Sequence, residues 1–179
     1  NAFEKGENIK DLYADTKMVS KAKKELNILN EKNQPFFLAI GFLKPHLPFN
    51  APKEFWDIYD KKDIQLASNR YQPKNSPKIS MHNYGELRYY TNIPNDRTLD
   101  IPDSIQIKLI HGYYACVSYI DNEIGRLINH LKKLELYDNS IIVLWGDHGW
   151  QLGEHNLWAK HCNYQTSLKV PLIIKYNNQ

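Results

Sequence analysis

The sequence predicts an α/β fold in which helices cover both faces of a mostly parallel sheet, an α/β/α sandwich, and only part of one. Three observations carry this. Phe36–Leu43 (FFLAIGFL), Ser140–Trp145 (SIIVLW) and Lys169–Tyr176 (KVPLIIKY) are short apolar runs of strand length, the pattern of strands buried on both faces. Asp15–Lys32 and Ser104–Leu136 repeat apolar residues every three or four positions, as amphipathic helices do. Strands joined through helices favour parallel pairing with right-handed crossovers.

The first helix is set by Met18, Val19, Ala22, Leu26 and Leu29, with Asp15 or Thr16 as its expected cap and Asn33-Gln34-Pro35 as its stop. Lys44–Pro52 (KPHLPFNAP) is proline-rich and reads as a rigid loop. Pro52 is suited to opening a short helix over Lys53–Tyr59. Residues 61–103 form the least regular stretch, read either as a plain surface excursion or as a functional insertion, which would lie near a substrate pocket. Asp103 is the expected cap of the long helix, whose apolar positions are Leu109, Tyr113, Val117, Ile120, Ile124, Leu127, Leu131 and Leu134. Pro171 places the last strand at a beginning or an edge.

Composition excludes several classes. With 179 residues the chain suits one domain, 1–179. Lys plus Arg is 23 against 20 Asp plus Glu, so the net charge is only +3, and no basic run marks a nucleic-acid partner. No apolar run approaches the roughly 20 residues of a membrane span. Two cysteines, Cys116 and Cys162, make neither a disulfide scaffold nor a four-cysteine zinc site. Both ends read as cuts inside a longer protein.

In open α/β sheets chemistry collects beyond the carboxyl ends of strands. Two such ends lead into Lys44-Pro45-His46 and Gly146-Asp147-His148-Gly149. A carboxylate beside an imidazole suits one divalent cation: Ca²⁺ or Mg²⁺ by its oxygen, Zn²⁺ or Mn²⁺ by the pair. The plain alternative is that Asp147 caps the next segment and His148 packs in a polar pocket. His46, clamped by prolines, suits a general acid or an anion ligand, against the plain reading of a loop histidine. Lys160 offers a point charge for a tetrahedral oxyanion. His155 is expected to support the loop by hydrogen bonding, and Cys116 to belong to the core.

Together, PFFLAIGFLKPHLPFNAPKEFWDIYD, GYYACVSYIDNEIGRLINHL and SIIVLWGDHGWQLGEHNLWAKHCNYQTSLKVPLII resemble the type I sulfatases, most closely the iduronate-2-sulfatase-like branch of the alkaline-phosphatase superfamily. The resemblance implies a sulfuric ester hydrolase acting on sulfated carbohydrate, such as glycosaminoglycan, or another sulfate ester. It implies Asp147 and His148 as metal ligands for Ca²⁺, with Mg²⁺ as the alternative. It implies His46 as the group on the sulfate ester that protonates the leaving oxygen, and Lys160 as the holder of a sulfate oxygen. The family's formylglycine nucleophile, made within C/S-x-P-x-R, and its early Asp-Asp pair do not occur in this chain and are expected in a missing N-terminal part of the same domain. The fragment alone is therefore expected to be inactive. Family members are exported to a periplasm, cell surface or lysosome. The competing readings are a phosphatase or phosphodiesterase of the same superfamily and a non-catalytic carbohydrate-binding remnant.

Overall fold

The computed structural model describes residues 1–7, 13–82 and 85–176. Strand β1 (Phe3–Gly6) runs parallel to β2 (Phe49–Pro52), in the register Phe3 to Phe49 through Gly6 to Pro52. Helix α1 (Ala14–Glu31) lies between them in sequence, and α2 (Lys53–Trp56) follows β2 directly. Residues 61–103 then hold two 3₁₀ turns, Lys61–Asp63 and Lys78–Ser80, and the short helix α3 (Gly85–Arg88). Helix α4 (Asp103–Lys133) is followed by β3 (Ile142–Trp145), the two-residue strands β4 (Gln151–Leu152) and β5 (Trp158–Ala159), α5 (Gln165–Leu168) and β6 (Leu172–Lys175).

The core forms where α4 crosses β1, β2, α1 and α2. The face that α4 buries takes Leu109 and Leu131 from the row of large apolar residues in the sequence, and otherwise includes Ile110, Gly112, Ala115, Cys116 and Tyr119, while Val117 is exposed. Small residues let the helix come close. A Cβ at Gly112 would lie 2.8 Å from both Phe49 Cβ and Trp56 Cη2. Cys116 is buried as expected, and burial pushes its thiol up to about 12, which keeps it unreactive.

Neither expected cap is one. Tyr13 and Pro102 occupy the cap positions of α1 and α4, without side-chain caps. The side chains near the helix starts are used at longer range. Asp15 accepts from the Leu43 (2.7 Å) and Lys44 (3.4 Å) amides. Thr16 bonds the Tyr119 hydroxyl through its amide (3.0 Å) and its Oγ1 (2.9 Å), and Asp103 pairs with Arg70. Asp15 thereby ties the start of the His46 loop to α1.

Three strand expectations change. Phe36–Leu43 is not a strand, and Phe37 is 92% exposed. An apolar run becomes a strand only by pairing, and no described segment pairs with it. Phe49–Pro52, expected as loop, is a strand because β1 supplies a parallel partner. Finally, β3 and β6 pair antiparallel, Ile142 to Lys175 through Trp145 to Leu172, and both keep exposed apolar side chains. The connection that turns the chain back, through β4, β5 and α5, is a hairpin path rather than a crossover helix. Pro171 precedes β6, at the strand beginning that a proline allows. No described helix is long and apolar enough to cross a membrane.

Candidate functional site

Trp150 is the floor of the site. Its ring packs on the core side against Phe49 (centroids 5.9 Å apart) and Tyr113 (6.5 Å). Toward the surface it meets His46 (5.2 Å), His148 (6.0 Å) and the Lys160 ammonium (5.0 Å from the ring centre). The local pairing explains part of this convergence. Gln151 pairs with Ala159 across the β4–β5 hairpin, so Trp150 and Lys160 are the next positions outward on facing strands. Phe49 on β2 brings the neighbouring His46 loop to the same ring.

The Gly146–Trp150 turn is fixed by backbone. The amides of Gly146, Gly149 and Trp150 donate to the carbonyls of Pro171 (3.1 Å), Ser167 (2.7 Å) and Thr166 (3.0 Å). A Cβ at Gly149 would lie 2.0 Å from the Thr166 carbonyl oxygen and 2.8 Å from that of Lys169. Gly149→Ala is therefore expected to destabilise the protein by about 1–3 kcal/mol or more, because backbone must move. Thermal unfolding would show this, and an unchanged Tm would contradict the close approach.

Each histidine is oriented through Nδ1. His148 Nδ1 lies 2.7 Å from the Gly149 carbonyl, and His46 Nδ1 lies 2.9 Å from the Leu47 carbonyl. Both rings thus use Nδ1–H as donor and present Nε2 outward. His148 Nε2 is 3.7 Å from an Asp147 carboxylate oxygen, and the Asp147 side chain is 88% exposed. An imidazole anchored through one nitrogen, with the other facing a carboxylate, is a donor pair suited to a divalent cation. Among the described residues no group of three or more such donors is assembled.

His46 Nε2 faces Lys160. The Lys160 ammonium contacts it directly and lies 3.5 Å from a Glu86 oxygen, while the other Glu86 oxygen is 3.2 Å from His46 Nε2. Lys44 steadies the His46 loop by donating to the Pro48 (2.6 Å) and His46 (3.3 Å) carbonyls, and burial lowers its pKa.

The four residues singled out in the sequence thus lie in one neighbourhood: His46 and His148 have ring centroids 6.4 Å apart, Lys160 touches His46, and Asp147 adjoins His148. They come together although the sheet reasoning that joined them assumed parallel strands. Two participants were not anticipated. Trp150 sits inside the GDHGW segment, where its aromatic floor was readable as a large residue next to glycine. Glu86 lies in irregular sequence with no periodic signal. Among the described residues the His155 ring makes no hydrogen bond to the loop. It packs on Tyr164 (4.4 Å), while Glu154 closes the loop by accepting from the Leu152 amide (2.7 Å). A cavity of about 520 Å³ opens between residues 81–82, 97–100 and 156–157, none of which belongs to this cluster.

Iduronate 2-sulfatase of Mus musculus is 35% identical over 167 residues, which cover 89% of this chain and 30% of that protein. The chain therefore spans about 30% of the length of that relative. Phosphonate monoester hydrolase of Silicibacter pomeroyi shares the fold, with a TM-score of 0.72 at 23% identity, over 93% of this chain and 33% of that one. So does a protein solved with its substrate D-glucosamine-2-N,6-O-disulfate, with a TM-score of 0.70 at 22% identity, over 92% and 43%. These folds place the chain in an alkaline-phosphatase-type α/β architecture, of which it is a partial domain with one parallel strand pair. The family model described as Sulfatase matches residues 2–179, and on that match, with the identity to iduronate 2-sulfatase, the chain belongs to the sulfatase family.

Proposed function

We propose that this chain is the part of a sulfatase that holds the sulfate ester and protonates its leaving oxygen, and that the full-length protein hydrolyses sulfate esters of carbohydrates. The observation that carries this reading is the meeting of His46 and Lys160 over Trp150, two nitrogens that face one small volume already occupied by a carboxylate.

A sulfate monoester carries one negative charge, and more gathers on the bridging oxygen as the S–O bond lengthens. Lys160, enclosed and held over the indole face, supplies a fixed positive charge to a nonbridging oxygen. His46, fixed through Nδ1–H and carrying a second proton on Nε2 as the imidazolium, gives the Nε2 proton to the bridging oxygen as the alcohol leaves and is left neutral. Asp147 and His148 would hold a divalent cation, which supplies further positive charge to the sulfate when bound; Ca²⁺ is the ion we propose, with Mg²⁺ as the alternative. The nucleophile is a formylglycine contributed by residues outside this chain. Residues 61–103, which bring Glu86 to His46 and Lys160, are the insertion proposed to border the sugar. The relative named for iduronate and the fold neighbour solved with a sulfated glucosamine favour a sulfated carbohydrate over other esters.

The full-length protein is expected to release inorganic sulfate from a sulfated uronic acid or glucosamine, followed by ion chromatography, while residues 1–179 alone release none. Phosphate release from phosphomonoesters with no sulfate release would overturn the assignment.

A further inference from the structure

Glu86 is the carboxylate lodged between the two proposed sulfate-holding groups. It is not a loose surface side chain. Helix α3 is fastened from behind: Leu87 is buried, α3 packs on β5, and the buried Arg88 guanidinium donates to the Pro94 carbonyl (2.7 Å) and to that of Leu99. This presents Glu86, with its side chain only 26% exposed, to the site. One oxygen lies 3.2 Å from His46 Nε2 and the other 3.5 Å from Lys160 Nζ.

A carboxylate spread over these two nitrogens has the charge and the acceptor pair of one edge of a sulfate group. Two anions cannot share a half-enclosed seat without strong repulsion. We infer that Glu86 is an internal counter-ion of the anion seat: it fills the place of the sulfate in the resting protein, the sulfate ester displaces it, and it returns as inorganic sulfate departs. It is a specificity determinant. A free inorganic anion must compete with Glu86 unaided, whereas an ester has the contacts of its alcohol portion to offset the displacement. The inference rests on the reading of His46 and Lys160 as sulfate-holding.

The test is calorimetric titration of the full-length protein with sodium sulfate. Glu86→Gln, which keeps the shape and removes the charge, is expected to bind sulfate at least ~10-fold more tightly than the unsubstituted protein, and Glu86→Ala to behave likewise. Circular dichroism confirms that each variant is folded. Such a gain is not produced by loss of a structural contact. Unchanged or weaker sulfate binding in both variants overturns the inference and makes Glu86 a residue that positions His46 and Lys160. The underlying reading is tested separately by Lys160→Ala. Sulfate binding that survives Lys160→Ala undiminished removes the seat itself, whatever the Glu86 variants do.

Discussion

Lys160→Ala is expected to lower sulfate release by the full-length protein roughly 10²–10³-fold, the loss usual for removing one preorganised donor from a developing anion. The ammonium is the only part of this side chain that the reaction needs. Its surroundings keep it aimed: the Trp150 face lies 5.0 Å away, His46 touches it and only 17% of the side chain is exposed. A charge held in this way is not free to reorganise as the sulfate changes shape, and that is where its effect on rate arises. The loss should appear mainly in kcat, because charge on the sulfate oxygens shifts as the S–O bond breaks. Lys160→Arg is a useful companion. It keeps the charge but widens the head group between an indole and an imidazole, and it is expected to recover only part of the rate. A Lys160→Ala protein with full activity would remove the oxyanion role of Lys160.

What the sequence disclosed and what it withheld follow from different physics. The residues of the site were legible because their chemistry is local: glycines on both sides of Asp147-His148 permit a tight turn, and prolines around His46 restrict its loop. The long helix was legible because its periodicity is sustained. Its buried face was legible only at Leu109 and Leu131, since much of the contact is made by Gly112, Ala115 and Cys116, whose value is smallness rather than hydrophobicity. Strand pairing was misread for a related reason. An apolar run such as Phe36–Leu43 signals that it needs cover and does not say which segment provides it. The helix before SIIVLW predicts a parallel partner for it, yet β3 finds β6 in antiparallel register. Glu86 was invisible because one glutamate in an irregular stretch has no pattern. Only the packing of Leu87 and Arg88 brings it to Lys160.

Asp147→Ala is expected to lower affinity for the divalent cation by more than ~100-fold, since removal of a supporting outer partner alone commonly costs 10–100-fold. Activity should fall with it and recover only partly at high Ca²⁺. This substitution separates metal binding from folding better than any other in the site. Among the described residues the Asp147 carboxylate meets only its neighbour: it accepts from the His148 amide at 3.1 Å and faces His148 Nε2 at 3.7 Å. An 88% exposed side chain with those contacts contributes little to stability, so Asp147→Ala should change it by no more than about 0.5 kcal/mol. His148→Ala is less clean, because the ring packs on Trp150 and bonds the Gly149 carbonyl, so a loss there mixes ligation with support of the turn. The decisive pair of measurements is calcium titration and thermal unfolding of Asp147→Ala. Lost calcium binding at unchanged Tm supports the carboxylate as a ligand. Retained binding and full activity would leave Asp147 as an exposed turn residue and shift the search for the cation's ligands elsewhere in the protein.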